Sequence, residues 1–505
     1  MGIMNILFDR LSKEEITYCH FKSNQHIKES FLGLTDFDVL VDKQKMDKMT
    51  VILTEIGAKR FESPYINNYP GIENWLIFDA QSGIIYHLHL HYQLLTGTAH
   101  VKEFLLPWYP MVLENAIYEE NYGLYICEPS IEFILLITRV VLKAKKKQRL
   151  KACLGRFSLK EDMKAEVEYL LNEANETNIQ KFAKQIYGEQ IADIFIHIYK
   201  TKEIKARVFC KLNKLLRKNL EENKRYKDWE IFIVNKTQTI YSIFSKVLKR
   251  LGRMRVLKKI SAKGGIAIAF IGVDGSGKST MSKEINKWLS KKIECQNLYL
   301  GTGDGAKDIR IKALKFVQKL GGSVGNKTQK TNGKGENQSG VKKKITLFSN
   351  PAKFVSVYVK SKIVDIVAAK NYKKLQNMNK YRINGGNCVM DRYPQLEKAG
   401  INDGLKIEQY TEQVESRILS NMARRERKNM SIIETVYPDV IFRLNISLDT
   451  CIKRKEEHKD GAYFEKKIAD LSELRYEKTE LIDIDAEQPF EEELLLIKNL
   501  IWERL

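Results

Sequence analysis

Nine consecutive residues carry the clearest chemistry in this chain: Gly272-Val273-Asp274-Gly275-Ser276-Gly277-Lys278-Ser279-Thr280, a G-x-x-x-x-G-K-[ST] pattern. Glycines let a backbone fold around phosphate oxygens and aim its N–H groups at them, and the start of a helix adds partial positive charge. Lys278 is then placed to reach β- and γ-phosphates, and the Ser279 hydroxyl to ligate Mg²⁺. Gly272, Gly275, Ser276, Gly277, Lys278, Ser279 and Thr280 are the expected nucleotide-binding residues. A second group is Asn387-Cys388-Val389-Met390-Asp391-Arg392-Tyr393-Pro394, an apolar run ending in an acid and a base. Asp391 is suited to orienting Mg²⁺ or an acceptor, and Arg392 to neutralising phosphate charge; a structural ion pair at a strand end is the alternative. A third is the cluster Lys453, Arg454, Lys455, His458 and Lys459. It reads either as a basic lid over a transferring phosphoryl group, with Arg454 catalytic, or as the solvated end of a helix.

Near the amino terminus, Asp36 and Asp38 alternate in FDVLVD and its approach. Both carboxylates then share one face, close enough to hold a Mg²⁺ that bridges triphosphate oxygens. His87, His89 and His91 alternate in the same way, either as imidazole ligands of a modified metal site or as structural residues.

These residues need elements to position them. IAIAFIGV (266 to 273) is a continuous apolar run of the kind buried on both faces of a parallel sheet, and MSKEINKWLS follows it with helical spacing. PDVIFRLNIS from 438 and LIDIDA (481 to 486) add strands, and PFEEELLLIKNLIWERL (489 to 505) an amphipathic helix. Residues 261–505 therefore read as an α/β domain, a parallel sheet flanked by helices with its ligands at the carboxyl edge. Residues 1–125 mix the strands 37–42, 75–80 and 84–94 with a helix over 46–58 that ends at a glycine, a small α/β domain. Residues 126–260 are almost free of proline and carry helical periodicity, a helical basic middle segment. The stretch 321–340, poor in hydrophobes and rich in Gly, Asn and Lys, is expected to be a mobile loop.

With 505 residues, 43% apolar and 29% charged, the chain is globular and too long for one core. Its net charge of +22 is uneven: −7 over 1–140, +17 over 141–260 and +12 over 261–505. The basic middle is either a solvated helix face or a surface for nucleic acid or anionic membrane, and it lacks the interleaved aromatics of a stacking platform. No stretch approaches the roughly 18 apolar residues of a membrane helix. Seven scattered cysteines without a C-x-x-C pair suggest neither a zinc site nor a disulfide framework, so a reducing cytoplasm fits.

On the GVDGSGKST loop with its internal Asp274, the DRY at 391 to 393, the PDVIFRLNIS strand before a basic lid and the terminal DA-x-x-P helix, residues 262–505 resemble the thymidylate kinase family of P-loop nucleoside-monophosphate kinases. The resemblance implies ATP and Mg²⁺, with Asp274 near the acceptor and Arg392 near phosphates. The sequence departs from that family at Leu300-Gly301-Thr302-Gly303-Asp304-Gly305, where the family's acceptor-phosphate Arg is missing, and in 394–404, where its acceptor-holding Ser and Gln are not recognisable. Arg424, Arg425 and Arg427 either replace the missing contact or form an exposed helix face. Lys22-Ser23 followed by Asp36 and Asp38 resembles the polymerase-β-type nucleotidyltransferases, with Lys in place of a Gly and His89 where a third acid would stand.

Three readings follow. The first is an ATP-dependent kinase acting on a nucleotide or other small phosphorylated or hydroxyl-bearing acceptor. The second is a bifunctional nucleotidyltransferase-kinase of surface-glycan or nucleotide-sugar metabolism, and the third a nucleic-acid-associated NTP-binding protein. The first has the most residues behind it, and the nucleic-acid partner is the less favoured reading.

Overall fold

The computed structural model describes residues 2–250, 254–301, 311–312, 314, 351–399, 403–412, 414, 416–454 and 461–505. Residues 302–305, the 321–340 stretch, and Lys455, His458 and Lys459 of the basic cluster lie outside the described residues. Two compact units form, Met1–Gly252 with Leu257–Ala262, and Arg253–Val256 with Lys263–Leu505.

In the first unit the alternating runs become β1 (Tyr18–His20), β2 (Phe37–Val41), β3 (Lys59–Glu62), β4 (Ile72–Asp79), β5 (Ile84–His91), β8 (Ile117–Glu119), β9 (Leu124–Ile126) and β10 (Ile260–Ser261). They make one mixed sheet in the order β10-β3-β4-β5-β2-β1-β9-β8; β6 (Leu94–Thr96) and β7 (Phe104–Leu106) form a separate hairpin. The central pair β2 and β5 is parallel, with Asp38 opposite His89.

The helix Pro129–Lys143 begins where Glu128 accepts a hydrogen bond from the Ile131 N–H at 2.9 Å and Pro129 supplies the fixed φ suited to a first helical residue. It is buried along nearly its whole length and packs on the helices Glu161–Glu173, Glu176–Tyr187 and Ala206–Asn219. Its core is continuous with Cys19, Phe21 and Leu40 of the sheet. The expected boundary near residue 125 thus runs through a shared core, because this helix needs a sheet face to cover its apolar surface.

The second unit holds β11 (Ala267–Gly272), β12 (Cys295–Tyr299), β13 (Asn387–Asp391), β14 (Val440–Asn445) and β15 (Glu480–Asp485) in the order β12-β13-β11-β14-β15. All four pairings are parallel. β11 is buried at every position and sits in the centre, as its unbroken apolar run predicts. The helices Lys278–Ser290, Pro351–Ile383, Arg417–Met430 and Phe490–Arg504 accompany the sheet.

The fold is therefore α/β with a parallel sheet and helices in the second unit. Among the described residues no cysteine is in a disulfide, and Cys153 and Cys210 place their Sγ atoms 3.3 Å apart. Among the described residues, no helix is long and apolar enough to cross a membrane.

Candidate functional site

β11 ends in Gly272, whose Cα faces crowded space: an added Cβ would lie 2.9 Å from the Leu444 carbonyl oxygen and closer still to the Ser276 hydroxyl. Gly277, with φ of 90°, turns the chain into the helix Lys278–Ser290 through a left-handed conformation that glycine adopts without strain. The loop therefore wraps tightly at the carboxyl edge of the sheet, and Thr280 closes the first helical turn by donating its N–H to Gly277 at 3.0 Å.

Lys278 is buried, and its Nζ donates to the Val273 carbonyl at 2.5 Å, back across the loop. Burial, helped by the neighbouring Arg392, pulls its ammonium down to about 8. The Ser279 hydroxyl donates to Asp391 Oδ2 at 2.6 Å. The other carboxylate oxygen, Asp391 Oδ1, is buried with no hydrogen-bond partner among the described residues. A hydroxyl beside a carboxylate with one uncommitted oxygen is a donor set that fits a hard divalent cation.

Asp274 stands between two cations, with Oδ1 3.2 Å from Arg392 Nη2 and Oδ2 2.9 Å from Lys467 Nζ. Burial alone would raise its carboxyl, but Lys467, Lys278 and Arg392 hold it well below the usual range. Arg392 also reaches Asp403 at 3.4 Å. Both Arg392 and Asp403 adopt left-handed backbone conformations, φ 73° and 62°, of the sort that concentrates at working sites. Arg454 donates to the Gly275 carbonyl at 3.2 Å and to Ala486 at 3.4 Å, so it braces the loop from behind.

The structure thus brings the loop, Asp391, Arg392 and Arg454 together. Lys467 and Asp403 join them without any local sequence signal beyond their charge. Two small cavities adjoin the group and share Asp403: one is lined by Lys278, Arg392, Tyr393 and Tyr476, the other, about 40 Å³, by Leu300, Asn371, Tyr372 and Met430. The arginine cluster does not face them as a group. Arg425 pairs with Asp365 at 3.0 Å, Arg427 with Glu408 at 2.8 Å, and Arg424 with Asn421 at 2.6 Å.

In the first unit, Asp36 Oδ2 lies 2.7 Å from His87 Nδ1, while Asp38 Oδ1 takes Lys22 Nζ at 2.7 Å and His89 Nδ1 at 2.9 Å, with His91 Nε2 3.6 Å away. Asp38, His89 and His91 offer ligand atoms within 4.8 Å of one another, a set that could take a metal, though Asp36 is not among them. Burial lowers all three histidines, His87 to about 4, against the opposing pull of Asp36 on His87 and of Asp38 on His89 and His91.

No family model matches the chain. The uncharacterized ATP-binding protein YghR of Escherichia coli strain K12 is 29% identical over 234 residues, 45% of this chain and 83% of YghR. The uncharacterized ATP-binding protein YghS of the same strain is 24% identical over 227 residues, again 45% of this chain and 87% of YghS. Among solved structures, deoxyadenosine kinase from M. mycoides with bound dCTP aligns at 17% identity and a TM-score of 0.27, over 47% of this chain and 98% of its own.

Proposed function

We propose that the second unit is an ATP-dependent phosphotransferase of the thymidylate or nucleoside-monophosphate kinase type, moving the γ-phosphate of Mg-ATP to a nucleotide or related small-molecule acceptor. The observation that carries this reading is the meeting of the 272–280 loop with the Ser279–Asp391 pair and Arg392 at one sheet edge. That YghR and YghS are named as ATP-binding supports the choice of donor.

In this reading the loop N–H groups and the helix start receive the β-phosphate. Lys278, released from the Val273 carbonyl, follows the phosphates. Ser279 and Asp391 would hold Mg²⁺, which would supply charge neutralisation to the transferring phosphates. Asp274 is a poor proton acceptor because its carboxyl is held so far down, so its part is to position Arg392 and Lys467 toward the transferring group. The acceptor oxygen forms a bond to the γ-phosphorus, the β–γ bridging bond breaks, and ADP leaves with its electron pair. The acceptor occupies the side of Arg392 on which the two cavities share Asp403.

Incubating the full chain with Mg-ATP and a panel of nucleoside monophosphates, sugars and sugar phosphates tests this directly. Acceptor-dependent ADP is the expected product. Absence of ADP across the nucleoside monophosphates would refute the kinase type, and pyrophosphate would point instead to nucleotidyl transfer by the first unit.

A further inference from the structure

A cluster of cations is built into the first unit. Lys22, Lys102, Arg139 and Lys143 line one cavity there with His91 and Thr96. The cations arrive from three separate places. Lys22 follows β1, Lys102 lies in the turn between β6 and β7, and Arg139 and Lys143 are one helical turn apart on Pro129–Lys143. Chains do not gather four cations around a small space for packing alone, since they repel one another unless an anion lies between them.

Asp38, a carboxylate beside this cluster, is already matched by the Lys22 ammonium at 2.7 Å. Lys102 is held in a left-handed backbone conformation, φ 45°, with its Nζ 4.1 Å from the centroid of the Tyr69 ring. Burial and then Lys22 push its ammonium down to about 7, the mark of a cation kept short of counter-charge. Two further polar atoms belong to residues that line the cavity. Thr96 is 0% exposed and His91 4% exposed, and neither Thr96 Oγ1 nor His91 Nδ1 finds a hydrogen-bond partner among the described residues. Buried polar atoms are rarely left so, which makes these two donors as informative as the charges.

Size selects the ligand. The cavity holds about 40 Å³, and by this measure one water needs about 10–15 Å³. A single phosphoryl group is of the size this space admits. We infer that this cavity receives one phosphoryl group, orthophosphate or the terminal phosphate of a phosphomonoester, through direct contacts from Lys22, Lys102, Arg139, Thr96 and His91 and without a bridging metal ion. The ammonium of Lys22 stands beside Asp38 where a divalent cation would otherwise be needed, so the site differs from one in which Asp36 and Asp38 share Mg²⁺.

The test uses the full chain carrying Lys278→Ala, which removes phosphate affinity from the other unit, and titrates orthophosphate calorimetrically in EDTA at low salt. Saturable binding to one site is expected. Arg139→Ala should weaken it about 10-fold or more, Arg139→Lys should recover part of the loss, and the near-isosteric Thr96→Val should weaken it about 3-fold. In an otherwise unaltered chain, Arg139→Ala should leave ATP turnover within about 2-fold, since Arg139 belongs to the first unit and the 272–280 loop to the second. A parallel titration with glycerol 3-phosphate separates the sources: tighter binding than orthophosphate identifies a monoester ligand, and equal or weaker binding the free ion. No binding, binding that Arg139→Ala and Thr96→Val leave unchanged, or binding that appears only with Mg²⁺ or Zn²⁺ would each overturn the proposal.

Discussion

Asp391 and Asp38 are both carboxylates borne on central strands of parallel pairs, yet their surroundings prepare them for opposite tasks. Asp391 spends one oxygen on the Ser279 hydroxyl and keeps the other buried and uncommitted. Asp38 has an ammonium and two imidazoles crowded around a single oxygen. Burial would raise Asp38, but Lys22 and the histidines hold its carboxyl well below the ordinary range. The availability of an acid to a cation is therefore decided by the side chains that the fold sets against it, and a D-x-D spacing alone does not report that.

The contrast is open to experiment. The largest effect should come from Lys278→Ala, which is expected to reduce ADP release by about 10³-fold, or about 4 kcal/mol, while Asp36→Ala leaves it within about 2-fold. Comparable losses in the two variants would end the idea that the units work independently.

A second test addresses stability. His87 is 2% exposed and titrates near 4, whereas an unfolded histidine titrates near 6.5. The unfolded state therefore binds the extra proton first, so stability is full above about pH 6.5 and falls as the pH drops toward 4, by up to about 3 kcal/mol. Chemical denaturation of the first unit from pH 4 to 7 reads this, and His87→Asn should flatten the slope. The smallest effect is expected for Lys467→Met. It removes one of the cations that depress Asp274, so the acid limb of the activity profile should move to higher pH with about a 10-fold loss of kcat. An unmoved acid limb would show that Asp274 does not depend on that contact.

Much of the second unit was legible because its central strands are buried on both faces and so read as unbroken apolar runs. The phosphate loop was legible because its glycines answer to local backbone geometry. Lys467 was not, since it meets Asp274 across 193 residues and its own helix shows only ordinary amphipathic spacing. In the first unit β1, β8 and β9 are three residues each, too short for alternation to appear. Arg139 and Lys143 stand out in hindsight as the cations near the end of the largely apolar run SIEFILLITRVVLK, but the partners that give them meaning, Lys22 and Lys102, are brought in by tertiary structure alone.

Strand register in the second unit has a consequence for how the chain tolerates change. β11 is hydrogen-bonded to β13 on one side and β14 on the other, with Phe270 level with Asp391 and with Phe442. The loop, the Asp391–Arg392 pair and the strand leading to Arg454 are thus aligned by a ladder of backbone bonds, and the lengths of chain between them do not enter. Substitutions that keep Phe270 paired with Asp391 and Phe442 therefore leave the loop and the Asp391–Arg392 pair in place, whereas a one-residue slip of β13 against β11 would carry that pair away from the loop.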